Sequence, residues 1–270
     1  MTAINPETNP YKQTLTQKLL GRNYKWWYIF LNGFKANTAY LLNDIIYFFG
    51  IFLGNSIMFV IYKFFTNQDI LLEVFFTNFF SIFLTFSMVA SLGGVIKSGS
   101  ITANLIQPTS LMPRYFMFRF GIIFKSYIIN FLLFLFTAVF IFRFNLLQGN
   151  ILILLAYLPI AICIHYFLEW IVGSLAFWTV ESYGLSSLFN NTIWILSGQA
   201  LPLYFFQTTI VYLLPTAFLS SHIVNAYLGK YSVLETVYVF GGGIVWCVIL
   251  YYLAKWVFKM GLKRNEAVGL

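Results

Sequence analysis

The sequence predicts an all-α integral membrane protein with six transmembrane helices, and three observations carry that expectation. Hydrophobic residues make up 60% of the 270 positions and charged residues 9%, whereas soluble domains carry roughly 25% charge. Apolar runs recur at about 20 residues, the length a helix needs to cross about 30 Å of hydrocarbon. The basic residues are concentrated in alternate connections between those runs, as they are when one side of the membrane is cytoplasmic. An outer-membrane barrel would instead show short segments of alternating hydrophobicity, a pattern not seen here.

The first element is an amphipathic helix over residues 14–36. On a helical wheel Leu19, Leu20, Trp26, Trp27, Phe30 and Phe34 share one face, and Lys18, Arg22, Lys25 and Lys35 fall on the opposite half. Such a helix lies in the interface plane, with its aromatic side in the lipid and its basic side toward anionic head groups. The polar residues 1–20 lack a short apolar core and do not read as a secretory leader. Spans follow at 41–62, 72–96, 115–142, 151–177, 185–200 and 237–258. The fifth is marginal in length and fades at Ser197, Gly198 and Gln199. Between the last two spans, Pro202 and Pro215 bracket a mostly apolar run too short to span and too apolar for an exposed loop. Residues 201–232 are therefore expected to form a re-entrant hairpin, since irregular backbone at membrane depth needs protein or a water-filled cavity around it.

Topology follows from Lys and Arg. The N-terminal segment has Lys12, Lys18, Arg22, Lys25 and Lys35; the region joining spans 2 and 3 has Lys97, Arg114, Arg119 and Lys125; the C-terminal end has Lys255, Lys259, Lys263 and Arg264. These are 13 of the 16 basic residues, and the remaining connections hold Lys63, Arg143 and Lys230. Both termini and the connection at 98–113 are thus expected on the cytoplasmic side. The net charge of +8 is explained by this placement, and no nucleic-acid partner is expected.

That connection, "GSITANLIQPTSLMP", is polar and holds two prolines. Ser98 or Ser100 can cap a short helix there, and Pro108 disfavours helix at Gln107. Ile101 and Leu105, four apart, share one face and make a small apolar knob for a partner. Pro113 suits the first turn of span 3.

Candidate catalytic groups are few. His165 and Glu169 lie four apart on one face of span 4, and intramembrane ionisable residues are functional candidates. Their position toward the cytoplasmic end favours a structural polar pair or a partner contact over catalysis or metal binding. Asp44 and Glu181 fall near span ends. In "GGVIKSGS" the position before Lys97 is Ile96 rather than the glycine of a phosphate-binding loop, and no catalytic or zinc motif occurs. The two cysteines, Cys163 and Cys247, sit inside apolar runs without metal-ligand spacing. "GGG" at 241–243 is expected to let span 6 approach a neighbour closely. The chain therefore reads as no enzyme, with no cofactor of its own, handling an apolar or amphipathic solute with energy from elsewhere.

Four places resemble the membrane subunits of type-2 ABC exporters in their compact six-span branch. Gly99, Ile101, Leu105 and Pro108 are similar to that branch's cytoplasmic pattern. Phe177 and Trp178 resemble its Phe-Trp pair at the end of span 4. Pro202-Leu203 and Leu214-Pro215 resemble its outer elements, and "GLKRNEAVG" its terminus. The resemblance implies two such permeases, the same or homologous, in a bacterial plasma membrane, paired with two cytoplasmic ATPases that hold ATP and Mg. It implies an ATPase-coupling helix at 98–108, with Ser100, Ile101, Thr102, Asn104, Leu105, Ile106 and Pro108 as its residues. It implies an outer gate containing Pro202, Leu203, Leu214 and Pro215, and an ATPase contact by the N-terminal helix with its Lys18, Arg22, Lys25, Trp26, Trp27 and Phe30. The cargo class would be a drug, peptide, lipid or glycolipid moved outward. Two other readings stand beside it: a stand-alone secondary transporter or membrane enzyme using His165 and Glu169, and a non-transporting immunity or sensor subunit.

Overall fold

The computed structural model describes residues 24–36, positions 46, 49, 50, 53, 57 and 60 of the first span, and residues 68–84, 88–107, 109–136, 149–179 and 182–267. Leu19, Leu20, Lys18, Arg22, Asp44, Pro108, Glu181, most of 41–62 and the 137–142 end of the third span lie outside the described residues. All regular structure among the described residues is helical. Ile46, Phe49, Leu53, Ile57 and Val60 are helical and exposed. These five described positions recur at helical spacing and share one exposed apolar face.

The helices run α1 (Tyr24–Ala36), α2 (Gln68–Ser81), α3 (Met88–Lys97), α4 (Ile101–Leu105), α5 (Leu111–Phe136), α6 (Ile151–Ser174), α7 (Ser182–Leu196), α8 (Thr209–Leu213), α9 (Ser221–Tyr227) and α10 (Val233–Ala267). Turns of 3₁₀ helix follow α2 at Ile82–Leu84, extend α6 at Leu175–Phe177 and precede α8 at Leu203–Phe206. Among the described residues, three segments are long and apolar enough to cross a membrane: Ile70–Lys97, Ile151–Phe177 and Val233–Arg264. Helix α7 has 15 residues and so reaches about 22 Å, short of the hydrocarbon thickness. Helices α5 and α10 each begin four residues earlier than the sequence suggested, α5 with Pro113 in its first turn.

Helix α6 is the axis of the bundle, packing against α3, α7, α9 and α10. Its start is capped by Asn150, whose side chain accepts the Leu152 N–H at 3.1 Å. One half of α6 carries Leu154, Tyr157, Ala161 and Ile164 into a core with Phe76, Phe189, Ile193, Leu219, Ile223 and Val239. The other half carries Tyr166 and Trp170 into a second core with Met88, Leu92, Ile96, Ile101, Leu111 and Ala254. Because lipid tails are as apolar as these side chains, close packing and hydrogen bonds hold such helices together more than the hydrophobic effect does. The glycines show this. A Cβ on Gly243 would come within 2.5 Å of the Tyr157 hydroxyl, and one on Gly242 within 2.5 Å of the Phe218 ring, while Gly241 faces open space. Two of the three glycines at 241–243 thus serve close approach. Cys163 and Cys247, distant in sequence, meet across α6 and α10, with the Cys247 thiol donating to the Ile160 carbonyl at 3.5 Å.

Helix α1 makes its main contact along α5. Phe30 is buried against the rings of Phe120 and Phe124, and at the crossing Gly33 rests on the Phe118 carbonyl and Gly121 on the Phe30 carbonyl. The aromatic face expected to enter lipid is therefore divided. Phe30 turns into the protein, while Trp27 of the same face stays exposed and Lys25 lies over the Trp26 ring at 5.0 Å.

Candidate functional site

Polar chemistry gathers at the two ends of the bundle. At one end α3 stops and α4 begins. Gly99 takes φ +70, a left-handed conformation that glycine adopts without a steric penalty, and its N–H reaches the Ile96 carbonyl at 3.1 Å. Ser100 occupies the cap position of α4 but makes no side-chain cap. Its hydroxyl, like that of Ser98, donates back to the Val95 carbonyl, so the serines finish α3 instead of starting α4. Thr102 donates to the Gly99 carbonyl at 3.0 Å and Asn104 to the Ser100 carbonyl at 3.0 Å. Arg114, buried in the first turn of α5, donates to the Asn104 carbonyl at 2.6 Å. These bonds fix α4 against α3 and α5.

The apolar knob expected from Ile101 and Leu105 is corrected. Ile101 is fully buried among Leu92, Ile96, Leu111 and Trp170 and anchors the helix. The exposed pair is Leu105 and Ile106, at 43% and 85% exposure. The bend after Leu105 turns Ile106 outward, which a helical wheel through 98–108 does not anticipate.

His165 and Glu169 are both buried on α6, but they turn to different neighbours. His165 lies against the Phe189 ring of α7. Glu169 accepts the Met88 N–H at 2.9 Å, which places a carboxylate on the first residue of α3. A negative group there satisfies a free donor and complements the positive end of the helix dipole. Arg119 on α5 also lies within electrostatic reach of Glu169.

At the other end lie the starts of α2, α6 and α10 and the whole of 201–232. Within the segment expected to form the outer hairpin, the two halves are buried unequally. The run between Pro202 and Pro215 leaves Tyr204, Phe205, Ile210 and Leu213 exposed. The segment after Pro215 is the one that buries: every residue of α9 is inside, packed on α2, α6 and α10. Of the four outer residues singled out in the sequence, Pro202 and Leu203 are buried, and Leu214 and Pro215 half-buried. Ser220 donates to the Ser197 carbonyl at 3.0 Å and Tyr157 to the Phe218 carbonyl at 2.9 Å.

Helix α9 brings a polar cluster to Glu73 of α2. Asn225 donates to Glu73 Oε1 at 3.0 Å and Lys230 to Oε2 at 2.6 Å. Leu203, Tyr204, Tyr212 and Tyr231 complete the lining of a cavity of about 190 Å³ around them. Beside it His222 Nε2 donates to the Tyr212 carbonyl at 2.8 Å, which leaves Nδ1 to accept from the Tyr231 hydroxyl at 3.0 Å. Burial holds His222 below the usual imidazole range. Burial, and then the charge of Glu73, push the Tyr231 phenol up to about 12, so it stays a donor. None of these polar residues was singled out as a site residue in the sequence. Two signals were available: Glu73 lies at the edge of an apolar run, and Lys230 is a cation away from the basic side.

Among the described residues no group of histidines, cysteines and carboxylates could hold a metal ion. A search against curated proteins gives no match. The family model of the ABC-2 family transporter proteins matches residues 41–269. A bundle with helices of spanning length, a short helix clamped at one end and a buried polar cluster at the other is thus the architecture of a chain that belongs to the ABC-2 transporter family.

Proposed function

We propose that the chain is the permease subunit of an exporter in this family, driven by a separate cytoplasmic ATPase through α4. The carrying observation is the division of α4 itself. Ile101 is locked into the core while Leu105 and Ile106 stand out in the open, on a helix braced by Arg114 and Asn104. A push on the exposed pair is passed to α3 and α5 through that brace and the buried Ile101, because packed interiors move as units. ATP and Mg belong to the ATPase, and this chain needs no cofactor. The concentration of 13 of the 16 basic residues in the N-terminal segment, the 97–125 region and the C-terminal end supports a cytoplasmic location for α4 and both termini. The segment 201–232 then faces outward and forms the exit gate, with Pro202, Leu203, Leu214 and Pro215 in its turns. Pairing with a second permease, the same or homologous, belongs to the same reading. The cargo is amphipathic or apolar: a drug, peptide, lipid or glycolipid.

The test is co-expression with candidate ABC ATPase subunits from the same genome. The wild-type chain should co-purify with one of them and stimulate ATP hydrolysis in lipid vesicles. Leu105→Asp should insert and melt as wild type but lose transport and stimulation. Normal transport by Leu105→Asp overturns the role of α4, and activity of the chain by itself overturns the reading as a whole.

A further inference from the structure

Glu73 is a nearly buried carboxylate, 3% exposed, and each of its oxygens is engaged from a distant part of the chain. Asn225 is a fixed partner: it sits on the wholly buried α9 and is also tied to the Ser221 carbonyl at 3.0 Å. Lys230 is a different kind of partner. It follows Gly229, whose φ of +73 ends α9, and its side chain is 36% exposed. It reaches Glu73 across the cavity wall on a flexible four-carbon stem.

A buried carboxylate needs a cation or several donors to offset its lost hydration. Here the cavity offers one charge, one oxygen that accepts a short N–H hydrogen bond, and tyrosine surfaces on which methylenes can pack. Those features select a ligand. An anion is repelled by Glu73. A quaternary ammonium has no N–H for Oε2. An alkyl chain ending in a primary ammonium meets all three, and Lys230 demonstrates the fit with its own side chain.

We propose that the Glu73 cavity is a binding site for a primary ammonium group, and that Lys230 occupies it as an internal competitor which a ligand amine displaces. A cavity of about 190 Å³ accepts the ammonium and a few carbons, and the rest of the ligand leaves past the half-exposed ring of Tyr204. The amine can come from a free molecule or from an aminophospholipid head group. Binding needs neither nucleotide nor ATPase, so its failure would leave the permease reading standing.

The probe is dansylcadaverine, a fluorescent primary alkylamine, titrated at pH 7.5 into the full chain in phosphatidylcholine nanodiscs. Wild type should show weak saturable binding, displaced by n-pentylamine and not by tetramethylammonium. Lys230→Gln should tighten it tenfold or more by removing the competitor. Glu73→Gln and the double variant should abolish it. If Lys230→Gln binds no tighter, or if the gain survives in the double variant, the proposal is wrong. Melting curves show which variants fold. Should Lys230→Gln not fold, Lys230→Met replaces it, and the pentylamine competition in wild type, which needs no variant, decides by itself whether the site takes an amine. Nanodiscs containing phosphatidylethanolamine separate the sources: loss of probe binding there assigns the site to the lipid amine, and unchanged binding assigns it to a soluble amine.

Discussion

At one end of the bundle a five-residue helix buries Ile101 and leaves Leu105, with Ile106 just beyond it, in the open. At the other, a seven-residue helix has every residue inside. Both are short pieces between longer helices, and both are braced by polar side chains. They differ in what the bracing does. Around α4 the hydrogen bonds run between near neighbours in the chain, from Thr102 to Gly99 and from Arg114 to Asn104, and the helix is held as a rigid projection. Around α9 they run to α2, from Asn225 and Lys230 to Glu73, and they close one part of the molecule onto another. A projection suits contact with something outside the chain, and a closure held by a few polar bonds suits release.

The largest expected effect tests the projection. Ile101→Asp puts an unpaired carboxylate into a fully buried site and should cost roughly 3–5 kcal/mol, enough to stop the chain accumulating in membranes. Leu105→Asp, four residues on, should accumulate normally, and equal loss of both proteins in membrane fractions would erase the distinction drawn between them. Next comes the closure. Asn225→Ala leaves Glu73 Oε1 without its buried donor and should lower stability by about 1–3 kcal/mol, read from thermal melting in detergent. A melting temperature equal to wild type would mean that α9 is not held through Glu73.

A smaller effect belongs to Glu169. Glu169→Ala removes the acceptor for the Met88 N–H and should cost about 1–2 kcal/mol, whereas Glu169→Gln keeps an acceptor oxygen and should retain both stability and transport. Loss of transport in Glu169→Gln with unchanged melting would support the alternative in which Glu169 carries a proton. The smallest effect is pH-dependent. Because His222 is held below the usual value near 6.5, the unfolded chain binds more protons than the folded one as pH falls below about 6.5. The stability of the 201–232 end is therefore whole at pH 7.5 and declines toward pH 5. His222→Gln should flatten that decline, and an identical pH profile in the variant would remove His222 from the closure.

Much of this was legible beforehand, for identifiable reasons. The polar turn at 99–113 and the fading of the fifth span at Gly198 are local events, written in residues next to one another. The register of the 201–232 segment was not legible, because its two halves are similarly apolar and the side that buries is chosen by what α2, α6 and α10 leave open. Phe30 turns into the protein because Gly33 and Gly121 let two backbones touch, a fact shared between positions far apart in the chain. Glu169 was visible as an intramembrane acid toward the cytoplasmic end of its span, but it accepts from a backbone N–H, which no residue type advertises.

By itself the sequence determined that this chain is helical and membrane-bound, where its apolar segments lie, and which connections carry the positive charge. These follow from composition and from periodicity along the chain, which act over a few turns. Tertiary structure alone decided that Ile101 turns inward while Leu105 and Ile106 turn out, and that Glu73 meets Lys230 across 157 positions. A helical wheel says which residues share a face. It does not say which neighbour that face will meet, and in a bundle where lipid and protein are equally apolar, only the packed arrangement tells one from the other.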